Sequence, residues 1–219
     1  MTEPDHVSVP REVYDRVADE YAQVVGTDVS PEFEGPIDRA LLAAFVERIQ
    51  LDGGLVADIG CGTGRIAAWL AAHGLGVIGV DMSRRMLAMA RSAHPELQFK
   101  EGFLSALPFQ DGSVGGAVYW YSIIHTPPAQ LDEVFSELWR VLADGGHVLI
   151  AFQTGDDELV ERSHAYGTDL TLINYRHSPA GVAQALSVVG LRVEVRAVRE
   201  PELAHEAGPQ GFIFARRLQ

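Results

Sequence analysis

At 219 residues, with 47% apolar and 21% charged side chains, the chain has the make-up of one globular domain with a sizeable core and is too short for two large ones. Its formal net charge of -13 repels phosphate backbones and anionic lipid, which argues against nucleic acid and membrane partners. A single cysteine excludes an internal disulfide and a Cys-rich zinc site; with no membrane-length apolar run and no signal-peptide pattern in the opening Met-Thr-Glu-Pro-Asp-His, a cytoplasmic protein is expected.

From Pro10 to about Val25 the spacing of Val13, Val17, Tyr21 and Val24 predicts an amphipathic helix, with Pro10 in its first turn and Gly26 as its stop. The Pro/Gly-marked stretch from Ser30 to Pro36 leads to a second helix, Ile37 to Ile49, ended by Gly53-Gly54. Strand and helix then alternate. Leu55 to Ile59 reads as a strand, Arg65 to His73 as a helix, and Gly76 to Val80 as a strand ending on Asp81. Ser83 caps the next helix, which runs to about Ala93 before Pro95. A weaker strand at Leu97 to Lys100 precedes the loop from Glu101 to Gly112 and a strand from Val114 to Tyr121. The clearest helical stripe is Leu131, Val134, Phe135, Leu138, Val141 and Leu142, within Ala129 to Leu142, with Gly145-Gly146 as its stop.

His147 to Phe152 is a continuous apolar run of the kind found in a parallel strand buried on both faces. Gln153 to His177 breaks the alternation, being polar and rich in His and Tyr, and is expected to be a lid or insertion. Ser178-Pro179 restarts a helix with Val182, Leu186 and Val189 on one face, and Leu191 to Val198 and Gly211 to Ala215 read as the last two strands. The pattern predicts a doubly wound α/β fold in one domain. Residues 10–50 would form a helical cap, 55–152 a cofactor-binding core, 153–177 the lid or substrate loop, and 178–219 a closing helix and strands.

The run Val56 to Gly64, Val-Ala-Asp-Ile-Gly-Cys-Gly-Thr-Gly, reads as strand, acid and three alternate glycines before a helix, a loop that lets main chain approach a ligand. The dinucleotide fingerprint Gly-x-Gly-x-x-Gly would put its third glycine at Arg65, and no Gly-Lys-Ser/Thr follows to make a P-loop. Ligands in such sheets sit at the carboxyl ends of the strands, where Asp58, Asp81 and the segment Trp120 to His125 fall. Asp81 lies about twenty residues beyond the loop, the spacing at which a carboxylate accepts from ribose hydroxyls. Asp58 beside the loop disfavours a pyrophosphate and favours a cofactor carrying positive charge. Cys61 reads as a small loop residue, since no histidine lies beside it.

Together with Gly79-Val80-Asp81-Met82-Ser83 and Leu107-Pro108-Phe109, the glycine loop resembles the class I S-adenosylmethionine-dependent methyltransferases, in particular small stand-alone bacterial members of the methyltransferase type 11 kind, over roughly residues 10 to 219. The resemblance implies a Rossmann-like, doubly wound sheet of seven strands, mostly parallel with an antiparallel final hairpin, and helices on both faces. It implies S-adenosyl-L-methionine as methyl donor and S-adenosyl-L-homocysteine as product. By the same resemblance Asp58 and the loop Gly60, Cys61, Gly62 and Gly64 hold the methionine part, Asp81 the ribose, and Met82 the adenine. Gly102, Phe103 and Leu104 then line the adenine edge, while Trp120, Tyr121 and Ser122 pass near the sulfonium. Tyr21 matches a helix that closes over the cofactor in similar proteins, or else packs as a core aromatic. Arg65 either pairs with the methionine carboxylate or is a solvated first-turn arginine. Two departures stand out. Phe103 replaces the Asp that commonly accepts from the adenine amino group, so that contact is expected from stacking or main chain; Gly115-Gly116 replaces a frequent acidic residue and is expected to loosen the entry to its strand.

Methyl transfer asks the protein to hold the acceptor and exclude water, and a protonated acceptor is helped by a base. His125, before Thr126-Pro127-Pro128, is the base candidate by position, the alternative being a histidine that shapes the turn. Tyr14 and, in the lid, His164, Tyr166, Tyr175, Arg176 and His177 are expected substrate contacts or else ordinary surface. No His-x-x-x-His or acid pair at ligand spacing suggests a metal. The expected activity is methyl transfer to oxygen or nitrogen of a small molecule by in-line displacement. A cofactor-binding sensor or scaffold without turnover is the alternative, an NAD-linked oxidoreductase a remoter one, and a homodimer is left open.

Overall fold

The computed structural model describes residues 5–218. Among these described residues nine strands form in chain order: β1 Val56–Ile59, β2 Val77–Asp81, β3 Gln98–Glu101, β4 Val114–Trp120, β5 Leu142–Gln153, β6 Glu158–Arg162, β7 Leu172–Arg176, β8 Leu191–Arg199 and β9 Gln210–Arg217. The helices are α1 Asp5–Val25, α2 Pro36–Asp52, α3 Arg65–Ala72, α4 Arg84–Ala93, α5 Leu131–Val141 and α6 Pro179–Val188. Seven strands make one sheet in the order β3-β2-β1-β4-β5-β9-β8, parallel from β3 to β5 and closed by β9 running antiparallel to both its neighbours. This is the expected Rossmann-like sheet. The order reverses at β1 and β4, so their carboxyl ends open a crevice between them.

Each face of the sheet has its own apolar layer. Phe135, Leu138 and Leu186 from α5 and α6 pack with Tyr119, Val148 and Ile213, and Leu42, Phe45, Ile49 and Leu70 from α2 and α3 pack with Val118 and Leu149. Every residue of the predicted α5 stripe is buried, because three- and four-residue spacing keeps them on the face that meets the sheet. Ser83 caps α4 by accepting from Met86 N–H at 3.1 Å, and Ser178 caps α6 by accepting from Gly181 N–H at 3.3 Å.

Three expectations change, and a fourth gains its structure. Helix α1 begins at Asp5, so Pro10 sits inside it, and Val24 is 54% exposed while Ala18 and Val25 are buried with Val13 and Val17. Helix α5 stops at Val141; Leu142 already pairs with Val114, and the ladder resumes at Gly116 opposite His147, with Gly145 at φ 80° in the bulge between. Gln153 to His177, the expected lid or insertion, carries the antiparallel hairpin β6–β7, with Leu159 opposite Tyr175 and Arg162 opposite Leu172. Gly115-Gly116 does not loosen the entry to β4: a Cβ on Gly116 would lie 2.4 Å from Ile49 Cδ1 and 2.9 Å from Phe45 Cζ, so the glycines let α2 close on the strand. Among the described residues no helix is long and apolar enough to cross a membrane.

Candidate active site

The glycine loop is pinned to the end of β2. Gly60 and Cys61 N–H groups both donate to the Val80 carbonyl, at 2.8 and 2.9 Å, and Gly62 N–H donates to Asp81 Oδ2 at 2.8 Å. Gly60 and Gly64 lie at φ 76° and 83°, and a Cβ at either would come within 2.3 Å of Ser122 Cβ or 2.8 Å of the Phe99 ring. Gly62 differs, for the nearest atom to its Cβ would be the Tyr21 hydroxyl at 3.8 Å, on the cavity wall. Cys61 is buried, and burial pushes its thiol up.

Asp58 is buried and turned away from the cavity. Its Oδ2 accepts from Ala67 N–H at 2.9 Å, capping α3, whose own N-cap is Gly64 with no side chain to do so. Burial pushes its carboxyl up to about 7 against the pull of the Ala67 N–H and Arg65. Asp81 faces the cavity, with Oδ1 accepting from Ser83 N–H and Oδ2 from Gly62 N–H, each at 2.8 Å. Burial raises its pKa, opposed by those N–H groups, and its remaining lone pairs are free for a ligand. Arg65 is not a solvated arginine. It is buried, ion-paired with Glu34, and that carboxylate also accepts from Trp120 Nε1 at 3.3 Å and Ser30 N–H at 3.2 Å.

A cavity of about 240 Å³ opens over the strand ends. On the loop side it is lined by Gly60, Gly62, Arg65, Asp81 and Met82; Leu104 and Trp120 to Ser122 continue that wall. Tyr121 holds φ at 58°, uncommon for a non-glycine residue, which turns Ser122 back against Gly60. The buried Ser122 Oγ has no hydrogen-bond partner among the described residues. A main-chain cradle at Gly62, a carboxylate at Asp81 and this unpaired hydroxyl fit a nucleoside with hydroxyl donors and polar substituents. Gly102 and Phe103 stay out of the lining: Gly102 packs against Pro108 and Val80, and Phe103 exchanges main-chain hydrogen bonds with Ala106.

The facing wall comes from α1 and the hairpin. Tyr14 and Tyr21 of α1 meet Tyr166 with ring centres 6.3 and 4.9 Å away, and all three line the cavity. His125 Nδ1 lies 2.8 Å from the Ile173 carbonyl and its Nε2 2.9 Å from the Tyr14 hydroxyl. A carbonyl can only accept, so Nδ1 carries the proton and neutral Nε2 accepts from Tyr14. Burial pushes His125 down to about 4. Of the other lid residues, His164 is exposed and 3.7 Å from Asp169, Tyr175 stacks on His177, and Arg176 lies 3.8 Å from Glu158; none lines the cavity. His177 is fully buried, its Nε2 donating to the Ile123 carbonyl at 3.1 Å, so it ties the hairpin to the turn that carries His125.

Sequence reading missed Phe33, Glu34, Gln153, Arg162, His205, Glu206 and Gln210 around this site. Phe33 stacks on His205 at 4.7 Å, and Glu206 is ion-paired with Arg199, which also holds Asp38. No motif marks them. They come from the segment before α2, the end of β5, the hairpin, the β8–β9 connection and the start of β9, which only the folded sheet brings together.

Residues 56–146, less than half of the chain, match the family model of the methyltransferase domain, and this segment carries the glycine loop and lies within the seven-stranded sheet. Demethylmenaquinone methyltransferase of Beutenbergia cavernae is 34% identical over 113 residues, 52% of this chain and 45% of that protein. Malonyl-acyl-carrier-protein O-methyltransferase of Erwinia billingiae is 33% identical over 115 residues, 52% and 44% of the two chains. The matches thus span less than half the length of these curated relatives. The magnesium protoporphyrin IX methyltransferase of Synechocystis PCC 6803, crystallised with bound S-adenosylmethionine, superposes with a TM-score of 0.70 at 18% identity over 99% of each chain, a likeness of fold.

Proposed function

We propose that the chain transfers a methyl group from S-adenosylmethionine to an oxygen or nitrogen of a small-molecule acceptor by in-line displacement, in the cytoplasm. The observation that carries this reading is the two-walled cavity, with Asp81 and the Gly60 to Gly62 main chain on one side and Tyr14, His125 and Tyr166 on the other. When bound, S-adenosylmethionine supplies a methyl group on a positively charged sulfur. Asp81 accepts from the ribose hydroxyls, Met82 and Leu104 flank the adenine, and Gly62 with Arg65 receives the methionine end. The capping bond of Asp58 makes it a support for that loop rather than a direct contact. Tyr14, Tyr21 and Tyr166 close the opposite side, fix the acceptor and keep water out. A hydroxyl acceptor would pass its proton to the Tyr14 oxygen as Tyr14 passes its own to His125 Nε2. The net charge of -13 favours a small acceptor over a nucleic acid.

Calorimetry should detect binding of S-adenosylhomocysteine and none of a nicotinamide dinucleotide; the reverse outcome sinks the proposal. Asp81→Ala should weaken S-adenosylhomocysteine binding by about 1.5 to 3 kcal/mol, the worth of hydrogen bonds to a charged acceptor. Unchanged affinity removes Asp81 from the ribose.

A reading without turnover, as sensor or scaffold, is favoured by one observation: the cavity histidine is held at low basicity with both ring nitrogens already engaged. Incubation of methyl-labelled S-adenosylmethionine with a small-molecule cell extract separates the two, since a labelled small product excludes a pure sensor.

A further inference from the structure

The hairpin brings one more charged side chain to the cavity. Arg162 ends β6 and lines the cavity, with its guanidinium carbon 4.8 Å from the centre of the Tyr166 ring. Among the described residues no carboxylate pairs with it. In this it differs from the other two arginines at the cavity: Arg65 is paired with Glu34, and Arg199 at its edge with Asp38 and Glu206. Arg162 is exposed at its solvent side, and two other exposed arginines do find acids, Arg84 with Glu101 and Arg85 with Asp19. With a net charge of -13 there is no shortage of carboxylates to serve it.

A guanidinium stacked on a ring is oriented in advance and leaves its N–H edge for a planar, bidentate anion. Asp81 and Glu206 also line the cavity, so a dianionic phosphate would meet more repulsion than a single carboxylate charge. We propose that the methyl acceptor carries a carboxylate, held by Arg162, which turns the reacting oxygen or nitrogen toward the Tyr14 hydroxyl. The proposal rests on the methyltransferase reading above and names its acceptor class. It also bears on the weak base: burial lowers the basicity of His125 and the field of Arg162 adds to that, a smaller part that a bound carboxylate offsets.

The test uses the full chain and a small-molecule cell extract separated on an anion exchanger at neutral pH into retained and unretained pools, each incubated with methyl-labelled S-adenosylmethionine. Label should enter the retained pool alone, before and after phosphatase treatment of that pool. Arg162→Gln should lower the rate at limiting acceptor by about ten- to a hundredfold, with Arg162→Lys recovering part of it, while S-adenosylhomocysteine affinity stays unchanged in both variants. Label entering from the unretained pool, loss of acceptor on phosphatase treatment, or full activity in Arg162→Gln overturns the proposal. If neither pool is labelled although S-adenosylhomocysteine binds, the carboxylate acceptor and turnover fail together; absence of S-adenosylhomocysteine binding sinks the cofactor reading itself.

Discussion

His125 and Asp58 are both buried titratable groups, yet burial moves them in opposite directions on the pH scale. Asp58 keeps its proton in the folded chain up to about pH 7, whereas an unfolded chain releases it near the ordinary aspartate value of 3.8. The folded state binds more proton between those limits, so this contribution to stability is full below 3.8 and is lost as pH rises through 7. His125 runs the other way: its folded value of about 4 lies below 6.5, so its contribution is full above 6.5 and lost as pH falls through 4. The gap in unfolding free energy between wild type and Asp58→Asn should therefore shift by about 3 kcal/mol in favour of the variant between about pH 4.5 and 8, read from urea titrations at both values. A gap that stays constant refutes a raised Asp58. Replacing His125 by Gln tests its other role. The rate with a hydroxyl acceptor should fall by about a hundredfold or more with S-adenosylhomocysteine affinity unchanged, and a full rate would leave His125 as a residue that shapes the turn.

Helix α2 approaches β4 so closely at Gly116 that a methyl group there would lie 2.4 Å from Ile49 Cδ1. Gly116 also pairs with Val56 of β1 and His147 of β5, so the strand cannot retreat. Gly116→Ala should cost about 1 to 3 kcal/mol of overpacking, measured by urea unfolding, and adding Ile49→Val should recover part of it through a coupling that distant pairs lack. Simple additivity would refute the contact. The same doublet marks the limit of what local pattern conveys. The α5 stripe and the apolar runs of β1 and β5 were legible because their burial is periodic or continuous, and the glycine loop with Asp81 was legible because its spacing is local. Hairpin β6–β7 was not, since four of the five residues of β6 are exposed and show no alternation. Nor was the Arg65–Glu34 pair, whose partners lie 31 positions apart and meet only when the segment before α2 folds over the strand ends.

Across the whole molecule, the two layers flanking the sheet hold most of the core, while the wall that closes the cavity rests on little. Val13 and Val17 of α1, with Ala165 and Leu172 of the hairpin region, form a separate small cluster, assisted by Tyr14, Tyr166 and Leu170. Polar ties supplement it: Asp15 accepts from Ser83 Oγ at 2.6 Å, and Thr63 donates to the Gly26 carbonyl at 2.8 Å. Local stability follows the apolar contacts that an opening must break, so α1 and β6–β7 should open together without unfolding the sheet. Hydrogen exchange of the free chain should show amides of α1 and β6–β7 exchanging well before those of β1, β4 and β5. A ligand that binds only the closed arrangement stabilises it by mass action, about 2.7 kcal/mol at a hundredfold excess over Kd. Saturating S-adenosylhomocysteine should therefore slow exchange in α1 and the hairpin by up to about a hundredfold, the factor set by that free energy, and leave the central strands nearly unchanged. Slowing confined to the glycine loop would mean that the cofactor binds without engaging the tyrosine wall, and the roles given to Tyr14, Tyr21 and Tyr166 in closing the site would fall with it.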